Sequence, residues 1–201
     1  MKSVWQRSYF KDIIKVGLGN AAHSLDHLLG DEVLVKGFEI DVKPANFIAP
    51  YQMQSDIVGD FGAFTLMTLN EASFEKAVYA MLEPKYCQNS EMRMAILQEL
   101  NNILVASFVT KLSELLDCNI YGNVPDRENY TLADIKRYSQ YKDGFMCKFS
   151  AFKSGVTIWF LCAFDDSAKQ KVWASQWEAK YLQEHLPASQ GFFGFLSKLF
   201  S

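Results

Sequence analysis

The sequence predicts an α+β domain with an internal pseudo-twofold: two copies of a helix, strand, hairpin and helix, with long helices packed on a mixed or antiparallel sheet. Three observations carry this. A shift of 87 positions lays the leucines Leu25, Leu28 and Leu29 onto Leu112, Leu115 and Leu116. After each trio comes a short β-type stretch, Val33-Leu34-Val35 or Ile120-Tyr121, and then a glycine-containing hairpin. Finally, 201 residues with 49% hydrophobic and 21% charged side chains are ample for a core without metals or disulfides.

In chain order, residues 4–29 have helical periodicity and stop at Gly30, whose missing Cβ suits a left-handed C-terminal turn. Ile57 to Leu69 predicts a hairpin turning at Gly59-Asp60 and Gly62, and Glu71 to Leu82 a helix. Pro84 and Gln88-Asn89-Ser90 make a turn too short to let two halves move independently. Residues 91–116 repeat the long helix and end before Asp117. Pro125 to Asp143 is a polar surface connection with one short helix around Leu132 to Tyr138. Phe145 to Phe164 is the second hairpin, turning at Lys153-Ser154-Gly155, and a helix follows from about Ser167 to Leu182. A single domain is expected over residues 1–189, with repeats at about 4–88 and 89–184. The aromatic tail at 190–201, with Phe192, Phe195, Leu196, Leu199 and Phe200 near helical spacing, is expected to pack back on the domain or at a dimer interface, the alternative being a short amphipathic anchor for a membrane surface or a partner groove.

Composition also excludes functions. With 20 Lys+Arg against 23 Asp+Glu, the net charge of -3 offers no footprint for nucleic acid. The longest apolar run, Ile158 to Phe164, falls far short of the roughly 20 residues that cross a bilayer. No apolar signal-peptide core follows Met1 to Arg7, and Cys87, Cys118, Cys147 and Cys162 are isolated. A cytoplasmic protein with reduced, structural thiols is expected, and membrane contact is not.

The second long helix is the most informative segment for candidate site residues. Glu99 and Asn102 are three apart and share a face, with Ala95 one turn earlier. Asn101 would replace Asn102 if the helix were rotated, but the spacing from Glu99 favours Asn102. Pro125 follows Asn102 after 22 residues. His23 and His27 share a helix face with Asp26 between them, yet the only other histidine is His185, so a solvated helix edge is expected rather than a metal site. Gly17-Leu18-Gly19-Asn20 lacks the preceding strand of a phosphate loop and reads as small residues for close packing.

The spacing E-x2-N-x22-P over Glu99, Asn102 and Pro125 resembles the motif of the CheC, CheX and FliY phosphatases, which act on the chemotaxis regulator CheY. That family's pattern is Asp or Ser, x3, Glu, x2, Asn, x22, Pro. The stretch GDFGAFTLMTLNEASFEKAVYAML, from Gly59 to Leu82, is similar to the strand and helix that precede the motif helix in CheX. A worn first copy has the same spacing at Ser8, Asp12, Lys15 and Phe38, and Gly19-Asn20-Ala21-Ala22 after it is similar to the run that follows the motif in CheC. One departure stands out: Ala95 occupies the place of Asp or Ser and can form no side-chain hydrogen bond.

The resemblance implies the pseudo-twofold CheC/CheX-like fold, one surviving site in the second copy and hydrolysis of the aspartyl phosphate of a CheY-like response regulator. Glu99 would dock on the regulator's lysine and Asn102 would orient the water. No cofactor of its own is implied, since magnesium belongs to the regulator, and a homodimer is expected by likeness to CheX. The alternative is a non-catalytic scaffold or adaptor of the same fold in a chemotaxis or flagellar assembly, which Ala95 and the worn first copy favour. For a ligand-binding sensor the sequence offers no specific polar constellation.

Overall fold

The computed structural model describes residues 8–42, 49–123 and 143–174. Pro125, the helix expected at Leu132 to Tyr138, His185, the end of the last helix and the 190–201 tail lie outside them, as does the side chain of Ser8. The elements run α1 (Ser8–Leu29), β1 (Val33–Ile40), β2 (Tyr51–Gly59), β3 (Ala63–Leu69), α2 (Glu71–Met81), α3 (Ser90–Leu116), β4 (Ile120–Gly122), β5 (Asp143–Ala151), β6 (Thr157–Phe164) and α4 (Asp166–Ala174). Between α2 and α3 the turn at Pro84–Tyr86 is a single 3-10 turn. None of the described helices is long and apolar enough to cross a membrane.

Local chemistry sets the helix ends. Asn70 and Asn89 cap α2 and α3, their Oδ1 atoms accepting from the N–H groups of Ser73 and Met92 at 2.8 and 3.0 Å. Both long helices stop on a left-handed residue: Gly30 has φ 61° and Asp117 has φ 47°. These two positions are related by the 87-residue shift, so the second copy keeps the same turn although an aspartate must adopt the conformation a glycine adopts freely.

All the described strands join one sheet in the order β1-β5-β6-β3-β2-β4, with every neighbouring pair antiparallel. Exchanging β1, β2 and β3 for β4, β5 and β6 returns the same order read backwards. The twofold therefore passes between β3 and β6, and each edge strand pairs with the hairpin of the other copy. Hairpin strands begin earlier than the apolar pattern marks. Tyr51 to Asp56 carries only two apolar residues, Tyr51 and Met53, yet pairs in continuous register with β3, from Tyr51 against Leu69 to Ile57 against Ala63.

One face of the sheet carries α1 and α3. Phe10, Ile13, Leu18, Leu25, Leu100, Leu104, Phe108 and Leu112 are fully buried there against Phe145, Phe149 and Phe160. A smaller cluster, Phe64, Leu66, Leu161 and Ala163, is buried on the opposite face. This placement accounts for much of the aromatic content: the Phe108 ring meets those of Phe145 and Phe160 at centroid distances of 5.9 and 5.6 Å.

Where the long helices meet, a Cβ on Gly17 would lie 3.1 Å from the Phe108 ring and 3.3 Å from Leu112. Gly17 thus permits the close approach the sequence predicts. Gly19 does not take part, since a Cβ there would meet nothing within 4 Å. Asn20 Nδ2 donates to the Ser107 carbonyl at 2.9 Å. Those two residues are also 87 apart, so this bond joins equivalent positions of the two copies across the helix crossing.

Candidate functional site

The amphipathic pattern of α3 decides which residues reach solvent. Ile96, Leu97, Leu100, Leu104, Val105 and Phe108 are buried, which leaves Ala95, Glu99, Asn102 and Ala106 on the exposed side. Neither the Glu99 carboxylate nor the Asn102 amide is engaged by a hydrogen bond or ion pair among the described residues. Ala95, with Met92 and Met94 also exposed nearby, leaves the N-terminal end of this stripe apolar.

Asn101 points the other way. It is fully buried, and its Nδ2 donates to Ser55 Oγ in β2 at 2.7 Å. The helix phase therefore turns Asn102 to solvent and Asn101 to the core, so the rotated alternative does not occur. Pro125 lies outside the described residues, and its position relative to Asn102 is not described.

Arg93 anchors the start of the motif helix. It donates to Glu75 of α2 and to the Cys87 carbonyl, and its guanidinium sits 5.1 Å from the Phe74 ring. Hydrogen bonding to Arg93 holds the Glu75 carboxyl below its ordinary range, and the same pairing raises Arg93 further above its own. The apolar spacing gave no sign of this link, because it depends on α2 folding back beside α3.

The first copy brings Asp12, Lys15 and Phe38 together, but into a recess. With Val16 and Val35 they line a cavity of about 760 Å³ between α1 and β1. Lys15 Nζ lies 5.9 Å from the Phe38 ring centre. Burial raises the Asp12 carboxyl, outweighing the attraction of Lys15 and Lys11. Where Glu99 and Asn102 stand exposed, their counterparts Asp12 and Lys15 are half-buried.

His23 and His27 are exposed, with their Nε2 atoms 3.3 Å apart. Among the described residues no group of three or more histidines, cysteines or carboxylates could hold a metal ion. The four cysteines are free and buried. Burial pushes the Cys118 thiol up to about 11 and those of Cys147 and Cys162 higher still, which makes them unreactive packing groups.

Comparison with known proteins places these features. A model of the CheC-like family matches residues 92–128, a stretch that holds Ala95, Glu99, Asn102 and Pro125. No curated protein matches the sequence. Among solved structures, the chain is similar to the chemotaxis protein CheX from Desulfovibrio desulfuricans, with a TM-score of 0.59 and 14% identity over 77% of this chain and 99% of that one. It is similar to FliY from Thermotoga maritima with a TM-score of 0.61 and 15% identity, covering 87% and 96%. The FliM middle domain from H. pylori also shares the fold, with a TM-score of 0.55 and 7% identity over 83% and 95%. The architecture is the one found in CheX and FliY, and the helix bearing Glu99 and Asn102 is the part that carries the CheC-like sequence pattern.

Proposed function

We propose that this chain, which has the fold of CheX and FliY and a CheC-like motif helix, hydrolyses the aspartyl phosphate of a CheY-like response regulator. The observation that carries this reading is the joint exposure of Glu99 and Asn102 on one face of α3 with no partner among the described residues. An acyl phosphate is already activated, and a response regulator brings its own magnesium ion, so the phosphatase has little to add beyond a held water. Water oxygen attacks phosphorus in line, the bond from phosphorus to the aspartyl oxygen breaks, and carboxylate and inorganic phosphate separate. In this reading the Asn102 carboxamide orients that water without changing protonation near pH 7. Glu99 pairs with a lysine of the regulator and sets the distance of approach.

The experiment is decay of a phosphorylated CheY-like regulator with the wild-type protein and with Asn102→Ala. Wild type is expected to accelerate decay and the variant to lose roughly a hundredfold or more of that acceleration, with binding retained. Equal rates for the two proteins, with binding demonstrated, would remove the assignment.

A second reading, a non-catalytic adaptor of the same fold, is favoured by one observation: the exposed Ala95 where the resembling family has Asp or Ser. Ala95→Ser separates the two. If catalysis persists but is weakened by the missing hydroxyl, restoring one hydrogen bond should raise turnover roughly fivefold. An adaptor stays inactive with either residue.

A further inference from the structure

We propose that Asn101 is a positioning residue for the site on α3, tying the helix to the sheet one residue before the water-orienting amide; this rests on the phosphatase reading above. Leu97, Asn101, Leu104 and Phe108 form one buried stripe of α3. An aliphatic side chain is what that spacing calls for at 101, and an amide stands there instead.

The amide is not isolated in the core. Its Nδ2 donates to Ser55 Oγ at 2.7 Å. Ser55 is itself buried, and its carbonyl accepts from Thr65 Oγ1 at 2.8 Å. Ser55 and Thr65 face each other in the register of β2 and β3. A polar rung therefore crosses two strands and ends on α3, inside an otherwise apolar layer.

The rung leaves an atom unsatisfied. Asn101 Oδ1 is the one buried side-chain nitrogen or oxygen among the described residues with no hydrogen-bond partner. A buried orphan acceptor lowers stability, and a leucine would remove the penalty and add apolar contact. The helix phase does not require the amide either, since Leu97, Leu100, Leu104 and Phe108 already specify it. What apolar packing does not supply is a directional bond that stops the helix from sliding along the strand by fractions of an ångström. Asn102 is the next residue on the same rigid helix, so a bond at 101 limits the movement of the amide at 102. A held water tolerates displacements of only about half an ångström.

The test compares wild type with the double variant Asn101→Leu/Ser55→Ala and the single variant Ser55→Ala. Three quantities are measured on each: melting temperature, KM for the phosphorylated regulator and kcat for its decay. The double variant is expected to melt at or above the wild-type temperature, to keep KM within about twofold, and to lose roughly ten- to hundredfold in kcat. The Ser55→Ala protein leaves the core shape intact, so it reports the loss of the bond even if the double variant folds poorly. Wild-type kcat in folded Ser55→Ala would overturn the positioning role while leaving the phosphatase reading in place. A wild-type protein that fails to accelerate decay would overturn both.

Discussion

Asp31 shows how one side chain can close the α1 to β1 corner. Its carboxylate accepts from the backbone N–H groups of Lys153 and Ser154 and from Ser154 Oγ, at distances from 2.7 to 3.0 Å, pinning the tip of the second hairpin to the end of the first long helix. The Ser154 backbone N–H is the largest cause of a lowered carboxyl pKa, and it outweighs desolvation. Because the folded form holds the proton less tightly than the unfolded form, Asp31 contributes stability above the ordinary carboxyl range. That contribution is lost as pH falls from about 4 through the folded value. Melting temperature followed from pH 7 to pH 2 should fall more steeply below about pH 4 in wild type than in Asp31→Asn, which should already melt lower at pH 7. Parallel profiles would count against the role. Nothing in the sequence marked Asp31, since its partners are more than 120 residues away. The shared exposure of Glu99 and Asn102 was legible because a helix converts spacing directly into direction. The inward bond of Asn101 was not, because it depends on the serine that lies opposite it in β2.

At the scale of elements, the crossing of α1 and α3 is governed by Gly17. Replacing a mid-helix glycine by alanine gains about 1 kcal/mol of helix propensity. Here the added Cβ would sit 3.1 Å from the Phe108 ring, tighter than ordinary contact. The two effects oppose each other, so Gly17→Ala is expected to change stability by less than about 1 kcal/mol. Gly17→Leu adds more atoms in the same gap and should destabilise by about 3 kcal/mol or more, read from urea unfolding midpoints. A Gly17→Leu protein as stable as wild type would show that the helices are free to separate. The helices themselves were legible from their leucines and their stop positions, and the small residues of α1 point to close packing. Which glycine makes the contact was not legible, because Gly17 and Gly19 differ only in which way the helix turns them toward α3.

For the molecule as a whole, the consequential feature is that each copy's edge strand belongs to the other copy's hairpin. β1 has β5 as its sheet neighbour and β4 has β2. A chain divided between residues 88 and 89 would leave each half with an unpaired edge and half of the helix crossing. Neither fragment is expected to fold alone, and unfolding of the intact chain should be a single cooperative transition. Circular dichroism and amide dispersion of the separate fragments check this; a half with a cooperative melt of its own would refute it. Sequence by itself determined the repeated unit, the antiparallel hairpins, the long helices and the alignment of Glu99 with Asn102, because periodicity, turn residues and helical spacing act between near neighbours in the chain. Tertiary structure alone decided the exchanged edge strands, the Asp31 clamp, the Arg93 anchor and the inward bond of Asn101. Each of these joins groups brought together by the folding of separate elements, and no local pattern of side chains encodes which distant surface a residue will meet.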